Sequence, residues 1–172
     1  MKKLQKQNTG SELFSDIIKL IDESRNYVAQ TVNATLSVLY WKIGKRLNQD
    51  ILQNKRAKYG DEVILNLSIR LTESYGSGWG EKQIRHCLRS AETFSEEQIL
   101  YAVSRKLSWT HIRTIMYLKD DLQRDFYLQM SSNENWSTRQ LQERIDSMLY
   151  ERTAISKKPQ NLIKKELNHY GL

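Results

Sequence analysis

Residues 75–94 read "YGSGWGEKQIRHCLRSAETF" and place three glycines and a tryptophan directly before a run of cationic side chains. Ile84, Leu88 and Ala91 recur at helical spacing after the last of these glycines, so a helix is predicted over residues 80–94. A helix, a short glycine-containing turn and a second helix form the helix-turn-helix pattern, whose second helix can lie in the DNA major groove. The simpler interpretation is a loop that joins two helices of a bundle.

The polar side of this helix carries side chains that could bind nucleic acid. Lysine and arginine neutralise phosphates, arginine and glutamine form bidentate bonds with base edges, and a tryptophan in the turn can stack on a base. The helix start after "GSGWG" would also suit a phosphate. With the apolar residues turned inward, Lys82, Arg85, His86 and Arg89 are predicted to point outward, flanked by Gln83. The candidate nucleic-acid-binding residues are Trp79, Lys82, Gln83, Arg85, His86 and Arg89.

The chain before this stretch is predicted to be helical as well. Apolar residues between Ser11 and about Gln53 recur every three or four positions, which is typical of an amphipathic helix with Ser11 as its N-cap. The length allows one extended helix or two helices that meet near residues 31–35. Another helix is predicted from about Asp61 to the turn, where Gly76 ends it.

Four more predicted helices follow, each opening at a residue suited to an N-cap. They are "SEEQILYAVSRKL", "SWTHIRTIMYL", "DLQRDFYLQM" and "STRQLQERIDSMLYER", with caps at Ser95, Ser108, Asp120 or Asp121, and Ser137. The predicted fold class is all-α: a long N-terminal amphipathic helix, or helix pair, and then a multi-helix bundle that contains the helix-turn-helix. The predicted organisation is a flexible basic N-terminus (1–10), a long amphipathic helical region (11–56), a helix-turn-helix helical domain (57–154) and a basic tail or linker (155–172).

The charge balance favours a polyanionic partner such as nucleic acid. The chain has 27 Lys and Arg against 20 Asp and Glu, a formal charge of +7. The excess lies at the ends, because residues 1–58 carry 11 basic against 5 acidic residues and residues 155–172 carry 4 against 1. One cysteine excludes an intramolecular disulfide, and no apolar run approaches ~18 residues. We therefore expect a soluble cytoplasmic protein with no membrane span.

Few residues suit a catalytic or metal site. His86 and Cys87 are adjacent, so on a helix they point about 100° apart and cannot share a metal as an i, i+4 pair would. Ser108 and His111 suggest nucleophilic catalysis only superficially, because the sequence shows no acid to orient the histidine. We interpret Ser108 as an N-cap and His111 as a structural residue. No catalytic residue, metal ligand or cofactor is predicted.

Two families resemble this sequence. From about Val63 to Ile145 the order of elements resembles the DNA-binding core of ParB/KorB-type partition proteins. "GEKQIRHCLRSAETF" takes the place of their recognition helix, and "KLSWTHIRTIM" resembles their Leu-Ser-x-x-His-Ala-Arg helix, although Ile112 replaces the usual alanine. "NWSTRQLQERI" resembles their later Ser-x-Arg-Gln-x-Glu helix. This resemblance implies that the helix-turn-helix binds DNA.

A closer resemblance covers about residues 13–155. "YWKIG", "LSWTH" and "NWSTRQL" together resemble the N-terminal domain of YhcG-type proteins. Those are predicted bacterial nucleases with a C-terminal PD-(D/E)XK domain, often encoded near restriction-modification genes. A PD-(D/E)XK site needs carboxylates that hold Mg²⁺ and a lysine two positions after an acid. No Asp or Glu of this chain has a lysine two positions later, so the chain is not expected to be an enzyme.

Two functional hypotheses follow from the resemblance and the residues. The first is a non-catalytic domain that binds DNA and targets a nuclease, with double-stranded DNA as the expected ligand. The second is a dimerisation or protein-interaction module, because the apolar pattern of residues 14–51 is long enough for coiled-coil pairing. Both allow a homo-oligomer, and the implied protein partners are a nuclease domain or a restriction-modification subunit.

Overall fold

The computed structural model describes the backbone of residues 2–54 and 57–155, and the side chains of residues 10–51 and 60–154. Within these ranges the chain forms α-helices and no strand, which confirms the predicted all-α class. The helices are α1 (Lys2–Asn54), α2 (Ala57–Tyr75), α3 (Glu81–Thr93), α4 (Glu96–Ser104), α5 (Trp109–Ile115), α6 (Asp121–Asn133), α7 (Thr138–Asp146) and α8 (Leu149–Ile155). A 3₁₀ turn (Ser77–Trp79) joins α2 to α3. The predicted tail beyond residue 155 lies outside the described residues.

The N-terminal region is one helix, not two. α1 continues through residues 31–35, where the hydroxyls of Thr31 and Thr35 donate to the carbonyls of Tyr27 and Thr31, 2.9 Å away in each case. The predicted start was also wrong, because α1 begins at Lys2 and Ser11 lies inside the helix rather than capping it. The backbone of residues 2–10 is therefore helical, and the flexibility expected for this segment stays a prediction. Good helix formers in "KKLQKQ" explain this extension.

The C-terminal part of α1 anchors the molecule to its core. Trp41 is buried there, and its indole N–H donates to the carbonyl of Phe94 at 3.0 Å. Further along, the backbone of Gly44 lies directly against the backbone of Cys87 in α3. The main apolar cluster combines this end of α1 with α3 to α7, and its largest fully buried side chains include Phe126 and Tyr127. α1 therefore positions α3.

Short polar motifs begin the later helices as predicted. Ser95 and Ser137 form capping boxes with glutamines three positions later, and the Asp120 side chain accepts from the backbone N–H of Leu122. The last predicted helix is wrong as a single helix, because the structure divides it into α7 and α8. Met148, with a φ of 55°, separates the two. A left-handed residue cannot continue a right-handed helix, so the chain turns there.

Candidate nucleic-acid interface

A glycine ends α2 and starts the turn that leads into α3. Gly76 has φ 93° and ψ −177°, a conformation that glycine adopts without strain and other residues rarely adopt. Its backbone N–H donates to the carbonyl of Thr72 at 2.9 Å, which closes the last turn of α2. After the 3₁₀ turn, Gly80 is extended and becomes the N-cap of α3. The prediction that Gly76 stops the helix is confirmed.

The inner side of α3 fixes its orientation. Ile84 packs with Leu47 of α1 and Ile64 of α2 in a small apolar cluster, against which Leu88 is half-buried. Ala91 is buried in the main core. These contacts confirm that the three apolar residues of the predicted helix face inward, and they leave the opposite side of α3 in solvent.

Three cationic residues of α3 point outward as predicted, but they differ in their partners. Lys82, Arg85 and Arg89 are all exposed. The guanidinium of Arg85 lies 3.0 Å from a carboxylate oxygen of Asp61 and 3.6 Å from one of Glu81. In the part of the chain that the structure describes, Lys82 and Arg89 have no ion pair. They are consequently better placed than Arg85 to meet an incoming anion.

The predicted outward orientation of His86 is wrong. His86 is only 8% exposed, and its Nδ1 lies 2.8 Å from the hydroxyl oxygen of Tyr117. α5 and its C-terminal end cover this side of α3, which a helical wheel drawn for α3 alone cannot show. Burial lowers the pKa of His86, and the positive charges of Arg113 and Lys82 lower it further. The imidazole is therefore neutral at physiological pH.

Two other candidate binding residues, Gln83 and Trp79, are half-buried rather than exposed. Gln83 is half-buried, and its side-chain amide lies 3.8 Å from the sulfur of Cys87. Trp79 is half-buried with its ring edge-on to Tyr40, at a centroid distance of 5.8 Å. Stacking of Trp79 on a base would require it to leave that ring. Binding of nucleic acid by either residue stays a prediction.

A cleft of about 450 Å³ opens beside the outward face of α3. Lys82 and His86 form one wall, and Arg113 and Tyr117 lie across from them, with Gln142 of α7 also lining it. The sequence interpretation did not include Arg113, which lines this cleft, among the candidate binding residues. It occupies the arginine position of the "LSWTHIR" segment, so the resemblance to partition proteins contained the signal that could have found it.

Ser108 and His111 form a structural motif at the start of α5, as interpreted from the sequence. The backbone N–H of Ser108 donates to His111 Nδ1 at 3.2 Å, so Nε2 carries the proton and donates to the carbonyl of Trp136 at 2.9 Å. His111 thereby ties α5 to the segment before α7. Burial lowers its pKa, an effect that the bond to Trp136 opposes in part.

We expect acid to weaken the fold through His111. Because its pKa in the folded state is below the ordinary value of 6.5, the unfolded chain binds more protons as pH falls below that value. This contribution to stability is complete above pH ~6.5 and is lost as pH falls towards the lowered pKa. Thermal unfolding followed by circular dichroism should show a melting temperature that decreases between pH ~7.5 and ~5.

His111→Gln is the matching variant for this prediction. It should melt at a lower temperature at neutral pH, because it disturbs buried hydrogen bonds, and its melting temperature should depend less on pH. His86 is present in both proteins and contributes equally to each curve. Identical pH dependence in the two proteins would contradict the role assigned to His111.

Two further observations concern other kinds of site. Among the described residues, no group of three or more His, Cys, Asp and Glu side chains is arranged to hold a metal ion. No described helix is both long enough and apolar enough to cross a membrane.

A comparison with protein families matches residues 16–152 to the model of the DUF1016 N-terminal domain. The chain belongs to this family. In a separate comparison with curated proteins, the chain is 26% identical over 176 residues to a protein of Escherichia coli (strain K12) named "Putative nuclease YhcG". The aligned region covers 84% of this chain and 47% of that protein, so the chain spans about half the length of its curated relative. No solved structure matches the chain.

The DUF1016 match and the relative agree with the sequence motifs. "YWKIG", "LSWTH" and "NWSTRQL" all lie within the matched residues 16–152. The resemblance to the N-terminal domain of YhcG-type proteins is thereby confirmed.

Proposed function

We propose that this chain is a DNA-binding domain that contacts the phosphate backbone with α3 and the adjoining cleft. The observation that carries the proposal is the pair of exposed cations on α3. Lys82 and Arg89 are seven residues apart, about two helical turns, so they project from the same side about 10 Å apart along the axis. Each can neutralise one phosphate without first breaking an ion pair within the described residues.

The charges around α3 favour one side of the helix for the DNA. Asp61 and Glu81 hold Arg85 and make that edge acidic. On the other edge, Lys82 shares its cleft with Arg113. A phosphate strand would therefore run past Lys82 and Arg89 on the side of Arg113. Arg85 could read a guanine only by exchanging its two carboxylates for the base edge.

The nuclease relative suggests what such binding would serve. The E. coli protein carries the name "Putative nuclease YhcG" and is about twice as long as the aligned region. This chain carries no acid followed two positions later by lysine. We infer a non-catalytic role in which the domain brings nuclease activity to DNA, with double-stranded DNA as the ligand because α3 follows a helix and a tight turn.

A binding assay tests the proposal. Anisotropy of a labelled DNA duplex should rise on addition of the protein, and the association constant should fall linearly with salt on logarithmic axes between ~50 and ~200 mM. Binding that is absent at ~50 mM salt would refute the proposal.

We also expect the purified chain not to cleave DNA or RNA in the presence of Mg²⁺, because it lacks the acid and lysine triplet of PD-(D/E)XK nucleases. Plasmid and labelled RNA should remain intact during prolonged incubation, with a nuclease as positive control. Cleavage that persists through repurification and is lost on substitution of one carboxylate would show that the chain is an enzyme.

The alternative function, association with another protein surface, is favoured by a separate observation. Residues 10–33 of α1 are all exposed and include many large apolar side chains. This surface is remote from α3 in sequence and has a different chemistry.

A further inference from the structure

We propose that a second copy of this chain covers the exposed part of α1, in an antiparallel pair of α1 helices. Every residue from Gly10 to Asn33 is exposed. Between Leu13 and Val32, nine large apolar side chains are exposed by 42 to 72%. A helix gains most of its stability by packing an apolar face, and here residues 10–33 have no such packing within the described chain.

The apolar residues form one stripe, hereafter the α1 stripe, which comprises the large apolar residues from Leu13 to Val32. Phe14, Ile17, Ile21 and Val28 lie at the alternating spacing of three and four residues that is typical of coiled coils, with the polar Ser24 at the position between the last two. Ser15 and Asn26 lie about half a turn away, on a face that is polar throughout. The pattern thus favours a helix as the partner.

The described part of the bundle does not cover the stripe. Among the described side chains of α1 the buried residues recur every three or four positions along its C-terminal part: Ser37, Trp41, Gly44 and Leu47. On a regular helix of 3.6 residues per turn, their direction lies about half a turn from that of the α1 stripe. The stripe therefore points away from the bundle to which α1 is attached.

The exposed area is sufficient for a dimer. With on the order of 150 Å² for a large side chain and the exposures given above, the stripe presents on the order of 750 Å² per copy. A standard protein interface buries ~800 Å² per partner. Pairing of two stripes would thus reach the lower part of the range for specific interfaces.

The order of residues within the stripe is self-complementary when one copy is reversed. An antiparallel pair centred between Asp22 and Glu23 sets Ile17 against Val28 and Leu13 against Val32. It also places the polar Ser24 against Ile21. A parallel pair in register would instead stack each polar position on its own copy. Both directions give the reciprocal contacts of a two-fold interface, which a second copy of the chain supplies. We choose the antiparallel direction because it sets Ser24 against the apolar Ile21 instead of against a second Ser24.

Sedimentation of matched variants tests the pairing. The wild-type chain should be a dimer at ~10 µM, and Ile17→Asp/Val28→Asp should raise the dissociation constant at least ~100-fold, because it would bury unpaired charges. Ser15→Asp/Asn26→Asp adds the same charges at the same spacing on the polar face and should remain dimeric. Fluorescence of the buried Trp41 and Trp136 reports whether each bundle stays folded. A monomeric wild type at ~100 µM, or a dimeric stripe variant, would overturn the proposal.

A distance between spin labels tests the direction. Cys87 is buried and burial raises its pKa to about 12, so a label would react selectively at an introduced Thr35→Cys, an exposed position just beyond the α1 stripe and on the same side of the helix. The labels should be ~40 Å apart in the antiparallel dimer, because residue 35 lies about twelve residues from the centre. In a parallel dimer they would be ~10 Å apart, and that result would refute the antiparallel arrangement.

Discussion

Gly44→Ala is expected to destabilise the fold by about 3 kcal/mol, the upper end of the cost of overpacking. A Cβ at this position would overlap the carbonyl oxygen of Cys87 and would lie 3.0 Å from the Cβ of Ala91. The obstacle is mainly backbone, so no side-chain rotation can relieve it and α1 must move away from α3. For a chain of this size the melting temperature should fall by about 6–12 °C, measured by circular dichroism at neutral pH.

Gly10→Ala is the matched control. Gly10 also lies inside α1, but no atom would be within 4 Å of its added Cβ. The same substitution there only removes the helix-breaking tendency of glycine, so stability should be unchanged or rise by up to ~1 kcal/mol. Equal melting temperatures for the Gly44→Ala and wild-type proteins would show that the α1–α3 crossing is looser than described.

Local sequence signals predicted the elements of the bundle well. Ser95 and Ser137 with their glutamines, and Gly76 in the turn, act within a few residues of chain, so neighbouring residues suffice to interpret them. The apolar spacing of residues 80–94 likewise identified the buried side of α3. These signals also placed Lys82 and Arg89 in solvent correctly.

Local sequence signals did not predict the contacts between segments that are distant in the chain. His86 was expected in solvent, yet Tyr117 of a segment 31 residues away covers it. Gly44 contacts Cys87 for the same reason, and a glycine inside a helical pattern does not reveal which backbone crosses it. Arg113 joins the cleft because α5 packs beside α3. These side chains acquire their surroundings from packing between helices rather than from sequence periodicity.

The length of α1 illustrates an intermediate case. The three-and-four apolar spacing correctly predicted helical structure. It did not decide between one extended helix and two helices that meet near residues 31–35. The same apolar spacing continues from an exposed surface to a buried one. Residues 10–33 are exposed, whereas Trp41 and Leu47 are buried. Periodicity reports that a face is apolar and cannot tell what covers it.

Lys82→Ala/Arg89→Ala is expected to weaken DNA binding ~50-fold at ~0.1 M salt. Each phosphate contact releases about 0.9 counterion, so losing two contacts should lower the slope of log K against log salt by ~1.8. All sequences should be affected alike, because phosphates carry no sequence information. Anisotropy titrations of a duplex at several salt concentrations measure both quantities. The melting temperature should stay near the wild-type value, since both side chains are exposed and have no partner within the described residues.

Lys19→Ala/Lys42→Ala is the matched control, because it removes the same charge from exposed positions of α1. It should change the salt slope by much less than the α3 variant if contact, rather than net charge, drives binding. Arg113→Gln should lower the slope by ~1 if the cleft holds a phosphate. If the α3 variant binds DNA like the wild type while loss of the basic residues of 1–58 or 157–165 abolishes binding, the helix-turn-helix is a bundle connection. The charged ends of the chain would then be the DNA-binding elements.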